Sequence, residues 1–82
     1  MIKKLYVIYD KKAEAEMGIF EHPNDLTAIR DFSQLCQNKE HQICKFAEDY
    51  CLCCIGTIDT TTMAIVSDVK TVAEAKDYAI SE

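Results

Sequence analysis

The chain has 82 residues and a formal charge of -5, and 49% of its residues are hydrophobic. At that length it reads as one domain, residues 1–82, which buries only about 60% of its unfolded surface, so a homodimer is expected. Its acidity excludes a protein that grips phosphate backbones over its whole surface and restricts any nucleic-acid contact to a local basic patch or a partner protein.

The charge is unevenly spread. Met1–Lys45 carries seven basic and seven acidic residues, and Phe46–Glu82 carries two against seven. Five cysteines (Cys36, Cys44, Cys51, Cys53 and Cys54) are an odd count. With no apolar signal segment before them, they point to free thiols in a reducing cytosol. No run approaches the roughly 20 apolar residues needed to cross a bilayer, so the protein is expected to be neither secreted nor membrane-spanning.

In chain order, Lys3–Asp10 is a strand of high β-propensity, with Leu5, Val7 and Tyr9 on one face and Tyr6 and Ile8 on the other. Both faces are apolar, which predicts an interior position in a sheet. Lys11–Phe20 reads as a loop or a single turn, because Gly18 and Pro23 cut short the helical start in Lys11–Met17. Asn24–Gln37 is the clearest helix. Asn24 or Asp25 is its cap, and Leu26, Ile29, Phe32 and Cys36 recur at helical spacing with Leu35 widening the stripe. Asn38–Phe46 is a polar connection.

Tyr50–Ser67 reads as a β-hairpin around Asp59-Thr60-Thr61-Thr62, where a carboxylate and three hydroxyls can cap the turn amides. Thr71-Val72-Ala73-Glu74 has the form of a capping box and predicts a second helix with a narrow stripe of Val72, Ala75 and Ala79. The expected fold is therefore α+β, in the order β-α-β-β-α, a three-stranded sheet with two helices packed on it. A right-handed crossover would set the first strand parallel to Tyr50–Ile58, with an antiparallel arrangement as the alternative. Either way, the hairpin's outer strand is an open edge that can pair with a second copy.

No reaction centre assembles from these residues. Cys51-Leu52-Cys53-Cys54 has Cys-x-x-Cys spacing, but redox pairs of that kind sit at a helix N-terminus, whereas positions three apart on a strand face opposite ways. His41 and Cys44 with Cys51 and Cys54 supply the one His and three Cys of a tetrahedral zinc site, although they must converge from a loop and from both faces of a strand. Cysteine as a small buried hydrophobe is the preferred reading. Neither His has a nucleophile at a recognisable spacing and there is no Gly-rich phosphate loop, so no enzyme activity and no cofactor are expected. Lys3, Lys4, Lys11, Lys12 and Arg30 are the candidate DNA-binding residues, beside Tyr6 or Tyr9 as a stacking surface.

Several segments together carry a resemblance: Val7-Ile8-Tyr9-Asp10-Lys11-Lys12-Ala13-Glu14, Phe20 after a turn, Ala28-Ile29-Arg30-Asp31-Phe32, Glu48-Asp49-Tyr50-Cys51-Leu52 and Ile55-Gly56-Thr57-Ile58-Asp59. In this order, over roughly residues 5 to 65, the chain resembles the small non-structural protein of gokushovirus-type microviruses, bacteriophages of the Microviridae with single-stranded DNA, grouped with the microvirus C-type protein. The resemblance implies an accessory protein in the bacterial host cytoplasm that binds viral or host replication and packaging proteins, with weak binding of single-stranded DNA as a secondary expectation. It would redirect viral replication from duplex synthesis toward single-stranded genomes and their packaging. This chain departs from the family in carrying three cysteines between Tyr50 and Ile55, where relatives have aromatic or aliphatic residues, and in lacking prolines near Phe20 and before Glu48-Asp49. The contrasting expectation from the thiols alone is a small thiol- or zinc-dependent intracellular binding module.

Overall fold

A computed structural model describes residues 1–79. The chain runs β1 (Ile2–Asp10), β2 (Ala15–His22), α1 (Asp25–Cys36), α2 (Gln42–Lys45), β3 (Tyr50–Asp59) and β4 (Ala64–Glu74), with single 3-10 turns at Ala47–Asp49 and Ala75–Asp77. The four strands form one sheet in the order β2-β1-β3-β4, and every neighbouring pair is antiparallel. This overturns the expected three-stranded β-α-β-β-α arrangement. The fold is mostly sheet, with a second hairpin where a loop was expected and two short helices.

The first difference lies at Lys11–Phe20. Lys11–Glu14 form the turn of a hairpin, with the Asp10 carboxylate accepting from the amides of Lys12 and Ala13 at 3.0 and 3.1 Å. The chain then returns as β2, pairing Tyr6 with Phe20 and Lys4 with His22. Gly18, which argued against a helix, instead takes φ +104° beside the irregularity between Val7 and Tyr9, a conformation that costs glycine little.

The second difference lies at Thr71-Val72-Ala73-Glu74. These residues are the last turn-free stretch of β4, with Glu74 opposite Cys51 and Ala73 opposite Leu52. The capping-box pattern is overridden because Val66, Val69, Thr71 and Val72 make this a β-branched run alongside a ready partner strand. Of the helix expected there, the described part is one 3-10 turn; the part beyond Ala79 lies outside the described residues. Direction is decided too: of the two arrangements open for the first strand, the parallel one is overturned and the antiparallel alternative holds, with Tyr9 opposite Cys51 and Ile2 opposite Asp59. Because β1 already has β2 on its other edge, the crossover through α1 leads from β2 to β3, which are not neighbours.

α1 forms where it was expected, and Asn24 is its cap. The Asn24 side chain accepts from the Thr27 amide at 3.0 Å. Its inner face is rotated from the expected stripe: Ala28, Phe32 and Cys36 are buried, Ile29 and Leu35 partly so, and Leu26 is 77% exposed. That face lies on Tyr6, Ile8, Leu52 and Cys54, which share one side of the sheet with Tyr50 and Ala73. Ile43 of α2 completes this core, and Gln42 donates to the Tyr50 hydroxyl at 3.0 Å. Val7 belongs to the opposite side of the sheet.

Two bonds fasten the layers. The Tyr6 hydroxyl, at the inner edge of α1, donates to the Asp25 carboxylate at 2.5 Å, and Lys4 reaches the same oxygen at 3.3 Å. At the β3–β4 turn, the Asp59 carboxylate accepts from the Thr61 amide at 2.9 Å and the Thr62 hydroxyl from the Ala64 amide at 3.2 Å, which is the capping expected of this stretch. Gly56, at φ +144° beside a register shift, sits so close to β4 that a Cβ there would collide with the Val66 carbonyl.

Candidate functional site

Side chains alternate across a strand, so covering one face of the sheet with helices leaves the other to be read from the register. On β1 the uncovered face presents Leu5, Val7 and Tyr9, and β2 adds Ile19, which pairs with Val7. On β3 it presents Cys51 and Cys53, opposite Tyr9 and Val7. The extra residue Ile55 at the register shift joins them, and Ile58 pairs with Ile65 of β4 farther down. A second extra residue, Val72, returns Glu74 to this face after Thr71 and Val69.

A groove of about 390 Å³ runs along the middle of this face, lined by Val7, Tyr9, Lys11, Cys51, Cys53, Ile55, Val69, Thr71 and Glu74. Its walls are apolar except at the ends. Lys11 closes one end by an ion pair to Glu74 at 2.7 Å, and toward the other end of the sheet Lys3 pairs with Glu21 at 2.8 Å. The Glu74 carboxylate holds the Lys11 ammonium above its usual pKa, with their hydrogen bond as the main cause. Cys51 and Cys53 lie side by side in the floor with sulfurs 3.7 Å apart. Burial, then the contact with Cys53, pushes the Cys51 thiol up to about 12, so it is a neutral thiol rather than a thiolate nucleophile at neutral pH.

Three of the five DNA-binding candidates are engaged within the chain: Lys3 with Glu21, Lys4 with Asp25, and Lys11 with Glu74. Lys12 lies exposed in the β1–β2 turn and Arg30 on the outer side of α1. Lys3-Lys4 and Lys11-Lys12 stand at opposite ends of β1, about 25 Å apart at the rise of a strand, so the five residues are not brought together. Tyr6 is wholly buried, and of the two candidate stacking residues only Tyr9 reaches the open face.

The zinc candidates are likewise dispersed. His41 caps α2, its Nδ1 accepting from the Ile43 amide at 3.1 Å, and Cys44 lies on the same short helix, toward Cys36. Cys51 faces the groove, whereas Cys54 faces the helices with its sulfur against the Gly56 carbonyl. Among the described residues no three metal-ligating side chains cluster. All five cysteines are free thiols. Burial pushes Cys36 up to about 11.

Sequence reasoning passed over the open face. Its signal is nonetheless present in the two-sided apolar pattern of β1, which predicts an interior position in the sheet and does not say what covers either face. Among the described residues no helix is long and apolar enough to cross a membrane. No curated protein and no solved structure matches the chain. A family model described as Phage ORF5 protein matches residues 3–78, nearly the whole chain, and the protein therefore belongs to this phage protein family.

Proposed function

We propose that this member of the phage family is a non-enzymatic accessory protein of a microvirus. It redirects viral replication toward single-stranded DNA synthesis and genome packaging by docking on viral or host replication proteins in the bacterial cytoplasm. The observation that carries the docking is the outer edge of β4. From Ala64 to Lys70 every residue of this edge strand is exposed, with Ile65, Val66 and Val69 each more than 60% exposed. An edge of unpaired amides and carbonyls with apolar side chains is a template for adding a partner's strand, in which backbone hydrogen bonds supply affinity and alternate side chains supply selectivity.

The dispersal of the lysines supports a mode of action through protein contacts in preference to direct DNA binding. With three ammonium groups engaged by carboxylates and a net charge of -5, few phosphates can be neutralised and few counterions released. The test is an infection with phage carrying a stop codon in this reading frame, with duplex and single-stranded viral DNA quantified over time. Duplex forms should accumulate while single-stranded genomes fall, and complementation with the Val66→Lys variant should fail to restore the balance. An unchanged ratio of the two DNA forms would refute the role.

A further inference from the structure

We infer that the open face of the sheet is the seat of a second copy of this chain, the two sheets stacking face to face into a four-layer dimer with the helices outermost. The first argument is one of composition. The centre of the face is Val7, Tyr9, Cys53, Ile55 and Val69; Lys11 with Glu74 and Lys3 with Glu21 are neutralised within the chain, and Glu16, opposite Tyr9 on the β2 edge, is an acidic rim residue without an ion pair among the described residues. A nucleic acid would need free cations along this path, whereas the face offers an apolar centre whose two lysines are already paired and whose unpaired charge, Glu16, is acidic and lies at the rim.

The second argument is one of size. Four strands at about 4.8 Å spacing and about 30 Å of strand length give a face with a projected area on the order of 570 Å². Two such faces would bury on the order of 1,100 Å² in total, just above the roughly 1,000 Å² that a specific interface needs, with the contact supplied by the exposed Ile19, Ile65 and Val69 because Val7 and Cys51 are already buried. Sheets stack about 10 Å apart with inner side chains interdigitating, and the exposed Ile19 on β2 and Val69 on β4, on either side of the β1–β3 centre, are the side chains available for such a fit. A small single-core chain gains most from this contact, because its own helices cover only one side of the sheet. Stacking uses the face and leaves the β4 edge open, so it is independent of the docking proposed above.

Sedimentation equilibrium of the full chain tests the inference. The wild type should have about twice the 9.3 kDa mass of one chain, and Val69→Lys, a change at an exposed position on the open face, should convert it to a folded monomer. Val66→Lys, at the same edge strand but pointing to the other side, should leave the dimer intact. Maleimide labelling of Cys53, with Cys53→Ala as the blank, should be slow in the wild type and fast in Val69→Lys, and equal rates in the two would overturn the inference. A monomeric wild type at the highest soluble concentration overturns the inference. A dimer broken by Val66→Lys and not by Val69→Lys also overturns it, because that pattern marks pairing of β4 edges.

Discussion

The two faces of this sheet are built from the same strands and nearly the same kinds of residue, yet they differ in what lies against them. Tyr6, Leu52 and Cys54 alternate with Val7, Cys51 and Cys53 along β1 and β3; the first set meets Ala28, Phe32, Cys36 and Ile43, and the second lines an open groove. The difference teaches that apolar alternation on an interior strand reports neighbours within the sheet, while the layers above and below it depend on where the connections run. Here both the α1 segment and the α2 segment cross on one side, so one face has its partner inside the chain and the other has none.

The largest expected effect breaks the covered face. Phe32 is 1% exposed at the centre of α1, so Phe32→Ala should cost about 3–5 kcal/mol, enough to unfold so small a domain. A thermal melt followed by circular dichroism checks this. An almost unchanged midpoint would mean that α1 does not carry the core.

Next in size is the point where β3 and β4 approach most closely. Gly56→Ala combines a φ that disfavours any Cβ with a collision at the Val66 carbonyl, and should cost about 1–3 kcal/mol by urea denaturation. A variant as stable as the wild type would show that the register shift relaxes without penalty.

Smaller again is the bond between the layers. Tyr6→Phe removes the donor to Asp25 and should cost about 1 kcal/mol, at the low end for a bond to a charged group because the carboxylate is a third exposed. Burial raises the Tyr6 pKa well above its ordinary 10.0, with the Asp25 hydrogen bond adding to it. The folded state thus holds this proton more tightly than the unfolded chain, so its contribution to stability is complete below pH 10 and is lost as pH rises beyond that value. Tyr6 also lowers the pKa of Asp25 as its largest influence, and that contribution is present above the ordinary 3.8 and lost as pH falls toward the depressed value. Denaturation midpoints across pH should therefore fall less steeply at both extremes in Tyr6→Phe than in the wild type, and parallel profiles would remove Tyr6–Asp25 as the cause.

The smallest effect on stability is expected on the open face, and it sharpens the contrast. Cys53→Ser changes a half-buried side chain in the groove floor and should change the unfolding free energy of a monomeric Val69→Lys background by no more than about 0.5 kcal/mol in urea denaturation. A loss comparable to that of Phe32→Ala would show that the open face is as tightly packed within one chain as the covered one.

The chain alone determined the elements whose signals are local. Asn24 before a helical run of Leu26, Ile29, Phe32 and Cys36 sets the start and length of α1, and Asp59-Thr60-Thr61-Thr62 between apolar runs sets the β3–β4 turn, because caps and turns are satisfied by residues a few positions away. Tertiary structure decided the rest. Ala15–His22 becomes a strand only because the edge of β1 supplies its hydrogen bonds, and Thr71–Glu74 stays extended because β3 does the same, overriding a capping pattern that is locally as good. The placement of Leu26 outside and Ala28 inside was settled by which side of α1 lies on Tyr6, Ile8, Leu52 and Cys54. The same holds for the separation of Lys3-Lys4 from Lys11-Lys12 and of Cys51 from Cys54: strand rise and alternation carry residues close in sequence to opposite ends and faces, and only the sheet's position under the helices decides which face meets a core.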